Sequence, residues 1–264
     1  MRIKILGCSG GVGAELRTTS LLVDKDILID AGTGIGDLSL DEMRHIRHVF
    51  LTHSHLDHTS GLPLLVDTIF DQLKEPLTVY GRPETLDAVQ KHIFNWVMWP
   101  DFAELPTKQA PVLTYKPLKL GQRHTVSGRT LHMVEVNHTV PGAGYILEKD
   151  GKVFAFSGDT YTNDSFWAAV NAYPKVDVLM VETAFANSNQ KLADLAKHYC
   201  PKTLAADLAK FKHDPDIYVT HLKPGAEDAI FAEIVAALPK RRLHRLLGGE
   251  VFDLLIPGPV CGPP

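Results

Sequence analysis

Short apolar, β-branched runs recur along the chain and each reads as a strand: "IKIL", "SLLV", "ILID", "HVFLT", "LTVYG", "LHMVEV", "GYILE", "VFAFSGD", "VDVLMVE" and "DIYVTHL". Between several of them lie stretches of helix-compatible composition, with Pro or Gly near their starts: "GLPLLVDTIFDQL", "PETLDAVQKHIF", "NDSFWAAVNAY", "PKTLAADLAKF" and "GAEDAIFAEIVAAL". Asp24-Lys25-Asp26 and Lys149-Asp150-Gly151-Lys152 read as hairpin turns, the second with Gly where a positive φ is needed. Strands come in clusters with helices interspersed and without strict β-α-β alternation. This predicts an α/β (α+β) chain, two mixed sheets packed together with helices outside, as a single domain over 1–256.

Three segments stand apart. Residues 94–111, "FNWVMWPDFAELPTKQAP", fit no element, and their exposed-looking aromatics predict a long loop that walls a pocket or packs on a neighbouring subunit. Residues 257–264, "PGPVCGPP", are expected to be disordered. The amino-terminal "GCSGGVGAELRTTS" resembles a phosphate cradle, but its glycine spacing alone also suits a flexible loop between two strands. No internal repeat or charge run stands out.

Composition narrows the class. With 264 residues, 45% hydrophobic and 22% charged, the chain has enough length for a large core. No apolar run approaches the roughly 18 residues that span a bilayer, so no membrane partner is expected. The start "MRIKILGCSGG" enters a strand-like segment without a signal-peptide core. Cys8, Cys200 and Cys261 are scattered, which suits a reducing cytoplasm and argues against a thiolate metal site. The net charge of −4 leans against a nucleic-acid partner.

The chemistry is concentrated in "THSHLDHTSG", residues 52–61, which places His53, His55, Asp57 and His58 within six positions at the end of a buried-looking strand. A lone histidine is more often structural than a ligand. Three beside a carboxylate reverse that expectation, because neutral imidazole and carboxylate are the donors that hold Zn, Fe or Mn. Three further residues of ligand type end other strands: His138 in "EVNHTVPGAGY", Asp159 in "FAFSGDT" and His221 in "IYVTHLKPG". Together they make seven donors, enough for two divalent ions with one shared carboxylate.

"THSHLDH", with the later His, Asp and His in the same order, resembles the HxHxDH signature of the metallo-β-lactamase superfamily. The resemblance implies a four-layer αββα sandwich with a dinuclear site between the sheets at one edge. It assigns His53, His55 and His138 to one metal, Asp57, His58 and His221 to the other, and Asp159 to the bridge. A bridging Asp is unlike the lactam-hydrolysing branches, which put Cys there. "HLDHTSGLPLLVD" is similar to the class II cyclic-nucleotide phosphodiesterases, although Asp67-Thr68 stands where that signature expects Ser followed by Ala or Pro. The implied activity is attack of a metal-bound hydroxide on the phosphorus of a small cyclic nucleotide such as 3′,5′-cyclic AMP, by a cytoplasmic enzyme with Zn, Fe or Mn and a homodimeric assembly.

The layout of "VETAFANSNQKLADLAKHYCPKTLAADLAKF" resembles the same branch and the tRNA 3′-end endonucleases, with a Glu after a strand and a His opening a later helix. Here these are Glu182 and His198. A histidine outside the metal set, oriented and kept cationic by a carboxylate, can protonate a leaving alkoxide or bind the phosphoryl group; the competing expectation is a helix cap and a surface charge. Asp57 would accept a proton from the attacking water while ligating. Arg17 and Lys223 are the nearest cations for phosphate, each equally open to a structural role. Two other functions fit the donor set: a tRNA 3′-end processing endonuclease, disfavoured by the lack of a long basic or Gly-rich arm, and a non-hydrolytic di-iron redox or oxygen-binding module, disfavoured by the lack of a fused flavin or rubredoxin-type pattern.

Overall fold

The computed structural model describes residues 1–254; the stretch 257–264 and Cys261 lie outside the described residues. The amino-terminal half supplies β1 (Arg2–Gly7), β2 (Ser20–Val23), β3 (Ile27–Ile29), β4 (His48–Phe50), β5 (Leu77–Gly81), a small hairpin of β6 (Pro106–Thr107) and β7 (Ala110–Pro111), and β8 (Leu113–Pro117). The second half supplies β9 (Arg123–Val126), β10 (Arg129–Val136), β11 (Gly142–Lys149), β12 (Lys152–Phe156), β13 (Val178–Glu182), β14 (Asp216–Thr220), β15 (Leu243–Arg245) and β16 (Val251–Asp253). They build two sheets of seven strands, ordered β16-β1-β2-β3-β4-β5-β8 and β15-β14-β13-β12-β11-β10-β9. Each sheet is antiparallel in one half and parallel in the other, as the irregular alternation of elements predicts.

Helices α1 (Leu40–Met43), α2 (Leu56–Thr59), α3 (Gly61–Ile69) and α4 (Pro83–His92) belong to the first half, and α5 (Ser165–Asn171), α6 (Gln190–Ala196), α7 (Pro201–Leu208) and α8 (Glu227–Ala237) to the second. The two-residue period of the strands divides their side chains between layers. Ile3, Ile5, Leu21, Ile29 and Phe50 face Leu131, Met133, Tyr145, Phe154 and Met180 between the sheets. The alternate positions Leu22, Leu28, Val49 and Val79 pack on Leu62, Leu65 and Leu86 outside the first sheet. Ile146, Ala155, Leu179 and Ile217 pack on Trp167, Leu204 and Ile230 outside the second. Each such buried Leu, Ile or Phe contributes about 1.5–3 kcal/mol. The result is the four-layer αββα sandwich.

Both expected hairpin turns form, with Asp24 at φ 51 and Asp150 and Gly151 at φ 52 and 69. The 94–111 segment differs in part from expectation. Phe94 and Phe102 are core side chains whose rings lie 6.1 Å apart, while Trp96 to Met98 and Pro106 to Ala110 are exposed. Phe94 at its start and Phe102 at its middle fasten the loop to the core cluster that holds the α3 side chains, Phe102 lying 5.6 Å from the Phe70 ring.

The sandwich is closed at the two ends of its strands by different chemistry. At one end, Arg129 at the start of β10 donates to both oxygens of Asp26 at 2.7 Å and to Asp24 at 3.0 Å, both in the β2–β3 turn. At the other end lie the carboxyl ends of β3, β4, β10, β12, β13 and β14, where the expected site residues are found.

Candidate metal centre

Each donor is delivered by a chain that has just left a strand. After β4 the chain bends at Thr52 and Ser54 on either side of His53, and His55 is the N-cap of α2, which puts Asp57 and His58 in its single turn. His138 follows β10, Asp159 follows β12, and His221 follows β14. Two of these exits need unusual backbone. Gly158 has φ 62, and a Cβ there would lie 2.6 Å from the Ala143 carbonyl, so only Gly can turn the chain into Asp159. His221 itself adopts φ 65, a sparsely populated state for a non-Gly residue, and is held there by its N–H donating to the Cys8 carbonyl at 2.7 Å.

All seven residues meet, in two groups. Ligand-type atoms of His53, His55 and His138 lie within 4.8 Å of one another, and so do those of Asp57, His58, Asp159 and His221. In the first group, His55 Nδ1 is 3.1 Å from His53 Nε2 and 3.2 Å from His138 Nε2. In the second, Asp159 Oδ2 is 3.2 Å from His58 Nε2 and 3.0 Å from His221 Nε2, and Asp57 Oδ2 is 3.2 Å from His221 Nε2. The same Asp159 oxygen lies 3.8 Å from His53 Nε2, so this carboxylate stands between the groups.

The outer ring nitrogens are held as metal ligation requires. His138 Nδ1 donates to the Lys197 carbonyl at 3.0 Å, His53 Nδ1 meets Thr52 Oγ1 at 3.0 Å, and His58 Nδ1 donates to Asp30 Oδ2 at 2.7 Å. Lone pairs therefore point inward from several rings at once, and a divalent cation is the group that satisfies such a set. Asp30 is the site residue that sequence reasoning missed. It is fully buried, accepts from Thr52 N and Oγ1 at 2.8 Å each, and ends the apolar run "ILID" much as Asp159 ends "VFAFSGD".

Electrostatics separate the two groups. Burial, then the neighbouring imidazoles, pulls His53 well below its ordinary range and His138 down to about 4, so both are neutral imidazoles at pH 7. Burial also opposes protonation of His58 and His221, but carboxylates outweigh it. Asp159 and Asp30 hold His58 well above its usual value, and Asp159 and Asp57 raise His221 to about 9. Burial likewise acts to raise Asp57 and Asp159, yet the adjoining His221 and His58 keep both ionised.

Glu182 and His198 sit at the same edge. Glu182 is fully buried, which removes the alternative of a surface charge, and its Oε1 accepts from His198 Nδ1 at 2.9 Å and from Thr160 N at 3.0 Å. The His198 ring stacks 5.0 Å from that of His221 and stands 4.9 Å from that of His138. The cations Arg17 and Lys223 are engaged elsewhere. Arg17 pairs with Asp37 at 3.3 Å, and Lys223 Nζ donates to the Gly10 carbonyl at 2.7 Å, over the Phe185 ring. The glycine-rich loop packs on the centre from behind, since a Cβ on Gly10 would meet His221 Nδ1 at 2.8 Å. Asp67 and Thr68 lie on the exposed face of α3, so the departure from the phosphodiesterase signature falls on solvent-facing positions.

A basic run at Lys240 to Arg245, which the sequence reading passed over, is paired with carboxylates at every basic position but Lys240. Arg241 and Arg242 pair with Asp214, His244 with Asp216, and Arg245 with Asp228.

Comparison with known proteins agrees with this architecture. A family model described as a beta-lactamase superfamily domain matches residues 25–243. A protein of Aliivibrio fischeri named 3′,5′-cyclic-nucleotide phosphodiesterase is 23% identical over 270 residues, covering 83% of this chain and 80% of its own. A ribonuclease Z of Thermosynechococcus vestitus is 27% identical over an alignment of 312 residues, covering 92% of this chain and 73% of its own. Unliganded yeast PDE1 shares the fold, with a TM-score of 0.80 at 22% identity over 95% of this chain and 98% of that one. Fold and family model agree: the chain belongs to the beta-lactamase superfamily domain family and is a metal-dependent hydrolase.

Proposed function

We propose that the protein is a dinuclear phosphodiesterase that opens 3′,5′-cyclic nucleotides. The observation that carries the reading is the Glu182–His198 pair set against a seven-donor centre whose central ligand is a carboxylate, Asp159. A relative named for this activity, aligned over 83% of the chain, supports it.

His53, His55 and His138 would hold one divalent ion; Asp57, His58 and His221 would hold the second, with Asp159 shared. Zn is the ion the donor set suits best, with Fe and Mn as alternatives. When bound, such ions would supply Lewis acidity, acidifying a water and neutralising phosphoryl oxygens. The chain's own residues do the rest. As the water oxygen forms its bond to phosphorus, the Asp57 carboxylate receives the water's proton. His198, oriented through Nδ1 by Glu182, gives its other ring proton to O3′ as the P–O3′ bond breaks. The product is a 5′-monophosphate.

A hydrolysis screen tests this, using 3′,5′- and 2′,3′-cyclic nucleotides, linear phosphodiesters and lactones, with metals counted in the same sample. The expected result is preferential turnover of 3′,5′-cyclic nucleotides at two metal equivalents. Turnover of lactones alone would overturn it.

The ribonuclease Z relatives favour a second reading, tRNA 3′-end processing. Against it stand the short path from His138 to Asp159, one β-hairpin without a basic arm, and the pairing of Arg241, Arg242 and Arg245 with carboxylates. Strong, salt-sensitive tRNA binding in a mobility-shift assay would favour that reading.

A further inference from the structure

Asp207 lies outside the centre, on the inner face of α7, yet it is 97% buried and its carboxylate is fully engaged. Its Oδ2 accepts from Tyr199 OH at 2.6 Å, Asn163 N at 2.9 Å and Trp167 Nε1 at 3.0 Å, and its Oδ1 pairs with Lys210 Nζ at 2.8 Å. Two of these partners lead back to the site by different routes. Tyr199 is the covalent neighbour of His198. Asn163 donates through Nδ2 to Thr160 Oγ1 at 3.0 Å; Thr160 is the neighbour of Asp159, and its N–H donates to Glu182 Oε1. Glu182 accepts from His198, so the chain of contacts closes on itself: Asp207, Asn163, Thr160, Glu182, His198, Tyr199 and Asp207 again.

From this closed ring we infer that Asp207 and Tyr199 are positioning residues that fix the distance between His198 and the Asp159 loop. The inference rests on the role assigned to His198 above and adds how that role is held in place. The ring ties the α6–α7 turn, which belongs to no strand, to the exits of the parallel neighbours β12 and β13. That turn is also tied by its backbone, the Tyr199 carbonyl accepting from Ala184 N at 3.1 Å, so the Tyr199 hydroxyl is what fastens its side-chain end. The turn passes through Lys197 at φ 56, whose carbonyl is also the acceptor for His138 Nδ1. A turn released from Asp207 would thus move the proton donor relative to the shared carboxylate, at a centre where a misplacement of about 1 Å can cost on the order of a hundredfold in rate.

Tyr199→Phe removes one hydroxyl from the ring and nothing from the metal donors. In the Zn-loaded protein it should lower kcat on a phosphodiester about tenfold, with KM and metal content unchanged. The decisive arm is a double-mutant cycle with His198→Ala. If Tyr199 acts through His198, adding Tyr199→Phe to His198→Ala costs no further turnover; a full additional loss shows a merely structural role and overturns the inference. If His198→Ala alone retains turnover, the proton-donor reading fails separately. A readout independent of activity covers that case. In 15N-histidine-labelled, Zn-loaded protein, the His198 Nδ1–H bonded to Glu182 should exchange faster with water in Tyr199→Phe than in wild type, and an unchanged exchange rate also overturns the inference. Asp207→Asn serves as a second variant and should reproduce both effects.

Discussion

Asp30 Oδ2 lies 2.7 Å from Nδ1 of His58, and neither side chain has any measurable exposure. A carboxylate so placed fixes the imidazole tautomer and makes the inward nitrogen a stronger ligand. Asp30→Asn should therefore weaken the second metal site about 10–100-fold while leaving the first near wild type. His58→Ala, which removes the ligand itself, should lower the stoichiometry toward one. Metal analysis after competition with a graded chelator checks both, and two equivalents retained in His58→Ala would refute the assignment.

His198→Ala should keep both metals and lose turnover by a factor on the order of 10²–10⁴, the usual contribution of a positioned general acid. Steady-state kinetics with metals counted in the same preparation decides it. Unchanged turnover would remove His198 from the chemistry.

The metals should displace unequal numbers of protons. His221 keeps its proton up to about pH 9 in the metal-free protein, and His58 is likewise held above its usual range, whereas His53 and His138 are already neutral at pH 7. Ligation requires neutral imidazole, so the Asp57, His58 and His221 site should release more than one proton per ion and the His53, His55 and His138 site close to none. The sign follows: affinity of the second site rises as pH climbs toward 9 and falls as pH drops. Calorimetry in buffers of different ionisation enthalpy measures the release, and equal proton counts for the two ions would contradict the picture.

Gly158→Ala should destabilise the fold. Holding a non-Gly residue in the left-handed region costs roughly 1–2 kcal/mol, and the added Cβ would also press on the Ala143 carbonyl. A shift in the urea midpoint reports it, and a wild-type midpoint would mean the exit of β12 is softer than its geometry indicates.

Much of this was legible in the sequence, for an identifiable reason. His53, His138, Asp159 and His221 each terminate an apolar run, and a polar residue that ends a buried strand has to point at the edge of a sheet. Asp30 carries the same signal and was overlooked because "ILID" runs straight into a glycine-rich turn. The strands that escaped notice were the β6–β7 hairpin and β8 "LTYKP", β9 "RHTV", β15 "LHR" and β16 "VFD", short, largely polar pieces mostly at sheet edges that depend on a neighbour pairing with them, as Phe252 does with Ile3. Helix α6 went unseen for a related reason, since only one of its residues, Ala193, is buried. Partnerships such as Asp207 with Tyr199 leave no mark in a linear pattern at all, because the fold alone decides which buried carboxylate meets which hydroxyl.

Each of the two donor groups draws on both sheets: His53 and His55 follow a strand of one and His138 a strand of the other, and Asp57 and His58 meet Asp159 and His221. An ion seated there would be a rivet through one end of the sandwich, opposite the end that Arg129 ties with its ion pairs to Asp24 and Asp26. Stripping the ions should loosen the protein from one side, freeing amide protons after β4 and β14 to exchange while those beside the β2–β3 turn stay protected.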